Sequence, residues 1–188
     1  MAQQVNPTDS IQSLLEAAKT AGEGFPPVDK WNPEHCGVMD LVIKRDGSWW
    51  HEGKRITREP LVKLFARILR KDDDGVHYLV TPVEKQAVTV EIAPFIAVRV
   101  DHVERDGVPV LIFTTNLGDV VEAGVDRPIR VSTDPNTGEP EPLIRIRGNL
   151  DALLTRPVFY ELAEMATEKR GHFGVISNNA FFSLGPVE

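Results

Sequence analysis

Ile56-Thr57-Arg58-Glu59-Pro60-Leu61-Val62 and Leu154-Thr155-Arg156-Pro157-Val158-Phe159-Tyr160 are the two stretches that decide how this chain reads. Each places an apolar residue, a threonine and an arginine ahead of a run with helical spacing. A threonine there is suited to accept a hydrogen bond from one of the free amides of the first turn. Proline in that turn does no harm, because its missing N–H would have had no partner in the helix. Leu61, Leu64, Phe65, Ile68 and Leu69 then line one face, and Val158, Phe159, Leu162, Met165 and Ala166 line the other helix. The spacing predicts helices over 57–71 and 156–170, each closing on basic residues that favour the negative end of the helix dipole. On the first, Lys63, Arg67 and Arg70 fall on one basic stripe.

Outward from these helices the pattern turns to strands. Leu41 and Ile43 alternate with polar neighbours before the turn Asp46-Gly47, and Trp49-Trp50 continues beyond it. Asp72-Asp73-Asp74-Gly75 turns the chain into a strand over 76–81. After Pro82 short strands follow closely: 88–92, 96–100, 108–114, 129–132 and 143–147, then a hairpin of 173–177 and 180–184 turning at Asn178-Asn179. Such spacing fits a small barrel or a strongly bent sheet. A short N-terminal helix over 8–21, capped by Thr8 or Ser10 and stopped by Gly22, follows a polar arm. The fold class read from this is α+β, with two related strand–helix–strand domains, the repeat equating the two Thr-Arg helices. The strands ending near Gly47 and Gly148 are equated with them. The boundaries are 1–24 for the arm and short helix, 25–83 for the first domain and 84–188 for the second, strand-rich one.

Composition narrows the function classes. The net charge of −7 disfavours non-specific binding to nucleic acid or to an anionic membrane. Cys36 is the single cysteine, so the chain holds no internal disulfide and no cysteine-rich zinc site. Glu34-His35-Cys36 with Asp40 fits no standard metal spacing. Asp72–Gly75 lacks the glutamate that closes a calcium loop, since Val83 stands at the twelfth position. No Gly-rich phosphate loop and no nucleophile elbow is present. The polar N-terminus and the lack of a long apolar run lead to the expectation of a cytoplasmic protein, with no membrane, specific nucleic-acid, metal or cofactor requirement.

The Thr-Arg pairs carry the clearest chemistry. A helix start offers free amides and partial positive charge, and an arginine adds a bidentate phosphate donor. Thr57, Arg58, Thr155 and Arg156 are therefore candidate ligand residues, with structural capping as the competing reading.

Further motifs accompany them: Asp46-Gly47-Ser48-Trp49, the segment REPLVKLFARILR from Arg58, LVTPVEK from Leu79, Ala93-Pro94-Phe95 and Val158-Phe159-Tyr160. In this order, over about Pro26 to Leu184, they resemble the bacterial family called domain of unknown function 1285. The resemblance implies two structurally related domains, the second pleckstrin-homology-like. It also implies a cleft at the domain interface for a nucleotide-like ligand, and a signalling role. Trp49, Arg58, Thr81, Glu84 and Lys85 are the motif positions it offers as cleft residues. Ile92 and Gly118 stand where the family pattern often has acids. The functional expectation is a non-catalytic binder of a nucleotide-like or phosphorylated small molecule. A protein-interaction module, and an enzyme using Glu84 and Lys85, are the alternatives.

Overall fold

The computed structural model describes residues 7–20 and 24–187. The expected polar arm and the stop at Gly22 lie outside the described residues, as do the side chains of Thr8 and Ser10. The chain divides into two compact units, Met1–Glu91 and Ile92–Glu188.

Unit 1 opens with helix α1 (Pro7–Thr20), which packs against α2 (Glu59–Arg67) and buries Leu14 and Ala18. Its six strands are β1 (His35–Ile43), β2 (Trp49–His51), β3 (Lys54–Arg55), β4 (Leu69–Lys71), β5 (His77–Val80) and β6 (Glu84–Val90). They form one sheet in the order β3-β2-β1-β6-β5-β4. β1 and β6 run parallel at its centre, with an antiparallel meander on either side. Tight turns make the meanders possible. Glu52 and Gly53 both take positive φ between β2 and β3, the geometry that two-residue hairpins require. Leu41, Ile43, Trp49, Phe65, Ile68, Leu69 and Leu79 are the fully buried large side chains of the unit, with Leu14.

β6 explains where the units part. It bonds to β1 on one side and β5 on the other, so it belongs to the first sheet and the division falls after Glu91. The expected boundary, 83/84, lies before this strand. The first long helix is also shorter than its spacing predicts. Ile68 and Leu69 keep the helical period, but the Ile68 carbonyl accepts the Val80 amide and Leu69 pairs with Leu79, so the chain is already strand. Arg70 accordingly lies on β4, and the expected basic stripe does not form. Lys63 on α2 pairs instead with Glu59, 2.6 Å away.

Unit 2 contains β7 (Phe95–Arg105), β8 (Val108–Thr115), β9 (Val120–Glu122), β10 (Ile129–Thr133), β11 (Pro140–Arg147) and β12 (Leu150–Leu154). Helix α3 (Arg156–Met165) follows, then β13 (Thr167–Lys169), β14 (His172–Ser177) and β15 (Ala180–Pro186). The first six make a sheet in the order β10-β11-β12-β7-β8-β9, and the last three a small antiparallel sheet. β14 packs on β8 and β15 on β10, strands separated by three others in the large sheet. A three-stranded sheet can reach both only if the large sheet curls. It remains open, with β10 and β9 at its ends, so of the two expected forms, a small barrel or a strongly bent sheet, the bent sheet is the one that forms. α3 covers β7 and β14 and buries Val158 and Leu162. It stops at Met165, and residues expected to be helical pair as β13 with β14.

The repeat is present, but in the sheets. In each unit the first and sixth strands pair in parallel, flanked by two antiparallel meanders. The helices are not equivalent: α2 follows the third strand of its unit and α3 the sixth. The match of Thr57-Arg58 with Thr155-Arg156 therefore joins non-equivalent places. The strands paired with them in the sequence reading are β1 and β11, the first and the fifth.

Ser177 holds the small sheet to the large one. Its buried hydroxyl accepts the Leu111 amide at 2.9 Å and donates to the Ala123 carbonyl at 2.7 Å. Ser177→Ala leaves the buried Leu111 amide without its partner, while the Ala123 carbonyl keeps the Asn178 side-chain amide. It is expected to lower stability by about 1–3 kcal/mol, read as a shift in urea midpoint with an unchanged slope.

Candidate functional site

The helix starts are open but unequal. Arg58, not Thr57, is the capping residue of α2, while Thr155 is that of α3, and neither helix has a side-chain capping hydrogen bond. Neither threonine therefore performs the capping role its position fits. Arg58 and Thr57 are exposed. Glu59 stands in the first turn of α2, held by Lys63, and it already supplies the negative charge a helix start favours. The first turn of α3 has no acid. Its Arg156 is 79% exposed and lies 3.6 Å from Glu139, a loose surface pair worth little.

Three other candidates hold the fold. Trp49 is buried in the core of unit 1, and its indole Nε1 has no hydrogen-bond partner there. Thr81 is also buried. Its hydroxyl accepts the amides of Val83 and Glu84 and donates to the Glu84 carbonyl, locking the turn from β5 into β6. Glu84 accepts the Ser13 hydroxyl from α1 at 2.7 Å and the Gln86 amide at 2.8 Å. These residues are taken up in structural bonds, so the LVTPVEK segment reads as a turn and a strand start.

Lys85 leads to the densest polar cluster of unit 1. Its ammonium is 2.9 Å from Asp72 and lies over the Tyr78 ring at 4.2 Å. Arg70 donates to Asp72 at 2.5 Å and to the Val28 and Trp31 carbonyls at 2.6 and 2.7 Å. Burial opposes the charge on Asp72, but hydrogen bonds from Arg70 and Lys85, with their positive charge, hold its carboxyl below the usual aspartate value. Tyr78 donates its hydroxyl to Asp74 at 2.8 Å. That bond, then burial, pushes the phenol up to about 12. The cluster is a clamp, not a proton-transfer pair: every charge already has its partner within the unit.

Unit 2 carries two clusters that no motif announced. Arg147 donates to Asp119 at 2.9 Å and sits over the Phe95 ring; burial lowers its guanidinium from the ordinary value although Asp119 opposes this. On β12, the buried Asp151 takes Arg130 from β10 at 2.7 Å on one oxygen and Arg145 from β11 at 2.7 Å on the other. The only sequence signal was a charged residue within the apolar run of 150–154. Among the described residues no group of three or more His, Cys, Asp or Glu is gathered to hold a metal ion. None of their helices is long and apolar enough to cross a membrane.

These features define a two-unit α+β protein of strand-rich sheets with clamped internal charges. A family model described as "Domain of unknown function (DUF1285), N-terminal domain" matches residues 26–93, and one described as "Protein of unknown function (DUF1285), C-terminal domain" matches 94–184. The chain belongs to the DUF1285 family. The break between the two models falls within a few residues of the division after Glu91. The crystal structure of a DUF1285 family protein from Silicibacter pomeroyi DSS-3 is similar at TM-score 0.85 and 42% identity, over 93% of this chain and 95% of that one. That of a DUF1285 family protein from Shewanella baltica OS155 is similar at TM-score 0.53 and 26% identity, over 68% and 92%. No curated protein matches the chain.

The Asp72 clamp has a pH signature. A carboxyl whose value is depressed in the folded state contributes stability above its unfolded value of about 3.8, lost as pH falls through the folded value. Wild-type protein is expected to lose melting temperature on acidification below that point. Asp72→Asn should start about 1–3 kcal/mol less stable at neutral pH and show a flatter acid limb in calorimetry. An identical acid limb in the variant would remove Asp72 from the account.

Proposed function

We propose that this protein is a non-catalytic, cytoplasmic binder of a small phosphorylated or nucleotide-like molecule, with a signalling role. One observation carries the reading: the start of α3 has no capping side chain, no acid in its first turn and an exposed arginine. Free amides with partial positive charge favour an anion, and a guanidinium that is loosely paired is able to turn toward one. The start of α2, with Arg58, is the weaker of the two because Glu59 competes there.

A second reading, a protein-interaction module, draws on a different observation. Unit 2 exposes Tyr160 on α3 and Phe173 and Ile176 on β14. Aromatic and aliphatic side chains of this kind are common anchors in protein contacts. The pleckstrin-homology likeness of that unit belongs to the same proposal; its support is a curled sheet, a small second sheet and one helix in the same unit.

Thermal-shift measurement against nucleotides and phosphorylated metabolites tests the first reading. A specific ligand raises the melting temperature with concentration, by about 2.7 kcal/mol of stabilisation at a hundredfold excess over Kd. Arg156→Ala should weaken the response, and Arg58→Ala with Arg156→Ala should remove it. The reading fails if no compound stabilises the chain, or if a hit is indifferent to the double substitution.

A further inference from the structure

We propose that Arg130 and Arg145, held in place by Asp151, form a seat for a phosphate-class anion on the sheet of unit 2. The inference is independent of the α3 start and uses none of its residues. Asp151 is 8% exposed, and each of its oxygens takes one guanidinium. Two cations thus share one carboxylate, which leaves a charge of +1 on the three residues. Arg130 spends Nη2 on Asp151, and its Nε and Nη1 have no partner among the described residues. Arg145 spends Nε on Asp151 and Nη1 on the Gly148 carbonyl and the Asn149 side-chain oxygen. Its Nη2, and the Asn149 amide nitrogen, have no partner among the described residues either. What remains at the cluster is therefore a set of donors.

Register favours one anion across both arginines. Arg130 pairs with Leu143, two residues from Arg145, and Arg145 pairs with Asp151, so all three side chains share one face of the sheet. Asp151 anchors both guanidinium groups there at 2.7 Å, and the remaining nitrogens of arginine forks match phosphate oxygens. The neighbouring strands supply the rigidity: Arg130 lies opposite Leu143, and Arg145 opposite Asp151, in the β10-β11-β12 register. Arg130 is 42% exposed, so an anion can reach it without opening the fold.

The test is titration of the full-length protein with inorganic phosphate against chloride at matched ionic strength, followed by NMR of the arginine Nε–H signals. Both the Arg130 and the Arg145 signals are expected to move and to saturate. Arg130→Gln leaves the buried Arg145–Asp151 pair intact and should weaken phosphate at least tenfold, with the remainder of the spectrum unchanged. Arg156→Ala should leave the phosphate affinity as it was, which separates this seat from the α3 start. A phosphate monoester that binds more tightly than phosphate marks a larger ligand; equal affinity marks free phosphate. The proposal is overturned if neither arginine signal moves at millimolar phosphate, or if Arg130→Gln binds phosphate as wild type does.

Discussion

Parallel pairing between the first and sixth strands of each unit is the constraint on which both sheets depend. A parallel pair has to sit inside a sheet, with neighbours on both sides and cover on its faces. β12 meets this demand in full: every residue from Leu150 to Leu154 is buried. Its partner β7 is buried where the two strands meet, at Phe95, Ile96 and Ala97. In unit 1 the pair is looser and more polar, with β1 exposed at its start and a register shift between Val38 and Val42. Gly37 lies there against the Gln86 side-chain amide, which has to move if a larger residue takes its place. Once the central pair is set, the remaining strands have only the outer positions, and tight turns order them as meanders.

A second regularity concerns charge. A carboxylate taken largely out of water, whether on the central strand β12 or just past the edge strand β4, needs cationic partners from its own or neighbouring strands. Asp72 is met by Arg70 of β4 and Lys85 of β6; Asp151 is met by Arg130 of β10 and Arg145 of β11. Each unit places an arginine on its fourth strand and brings it to a carboxylate that a second cation also holds. An unpartnered charge in such a position costs several kcal/mol, which is reason enough for the arrangement. The two clusters differ in what is left over. Arg70 spends its surplus donors on the carbonyls of Val28 and Trp31, whereas Arg130 keeps its own.

Much of the fold was legible because the turns are chemically explicit. Asp46-Gly47, Glu52-Gly53, Asp106-Gly107 and Asn178-Asn179 mark their hairpins, and the helix starts lie within two residues of where Pro60 and Pro157 place them. The illegible parts have physical causes. Ile68 and Leu69 satisfy a helical period and a buried strand equally well, and tertiary pairing decides between them. β12 does not alternate, because both its faces are covered, so it carries no strand signal. The candidate site was read less well. Trp49 and Thr81 stand in motifs because the core and a turn need them. Arg130, Arg145 and Asp151 are scattered in sequence and meet only through strand register, which local pattern does not encode.

The parallel centre also sets a timetable for the chain as it leaves the ribosome. β1 emerges early but its central neighbour β6 is made only near residue 90, after both meanders and α2. β7 waits likewise for β12. Neither sheet is able to assemble by adding strands in order of synthesis, since the seam is sealed by its last member. Unit 1 is then complete before most of unit 2 exists, so the two are suited to fold in succession, each as a late, all-or-none event dominated by distant contacts.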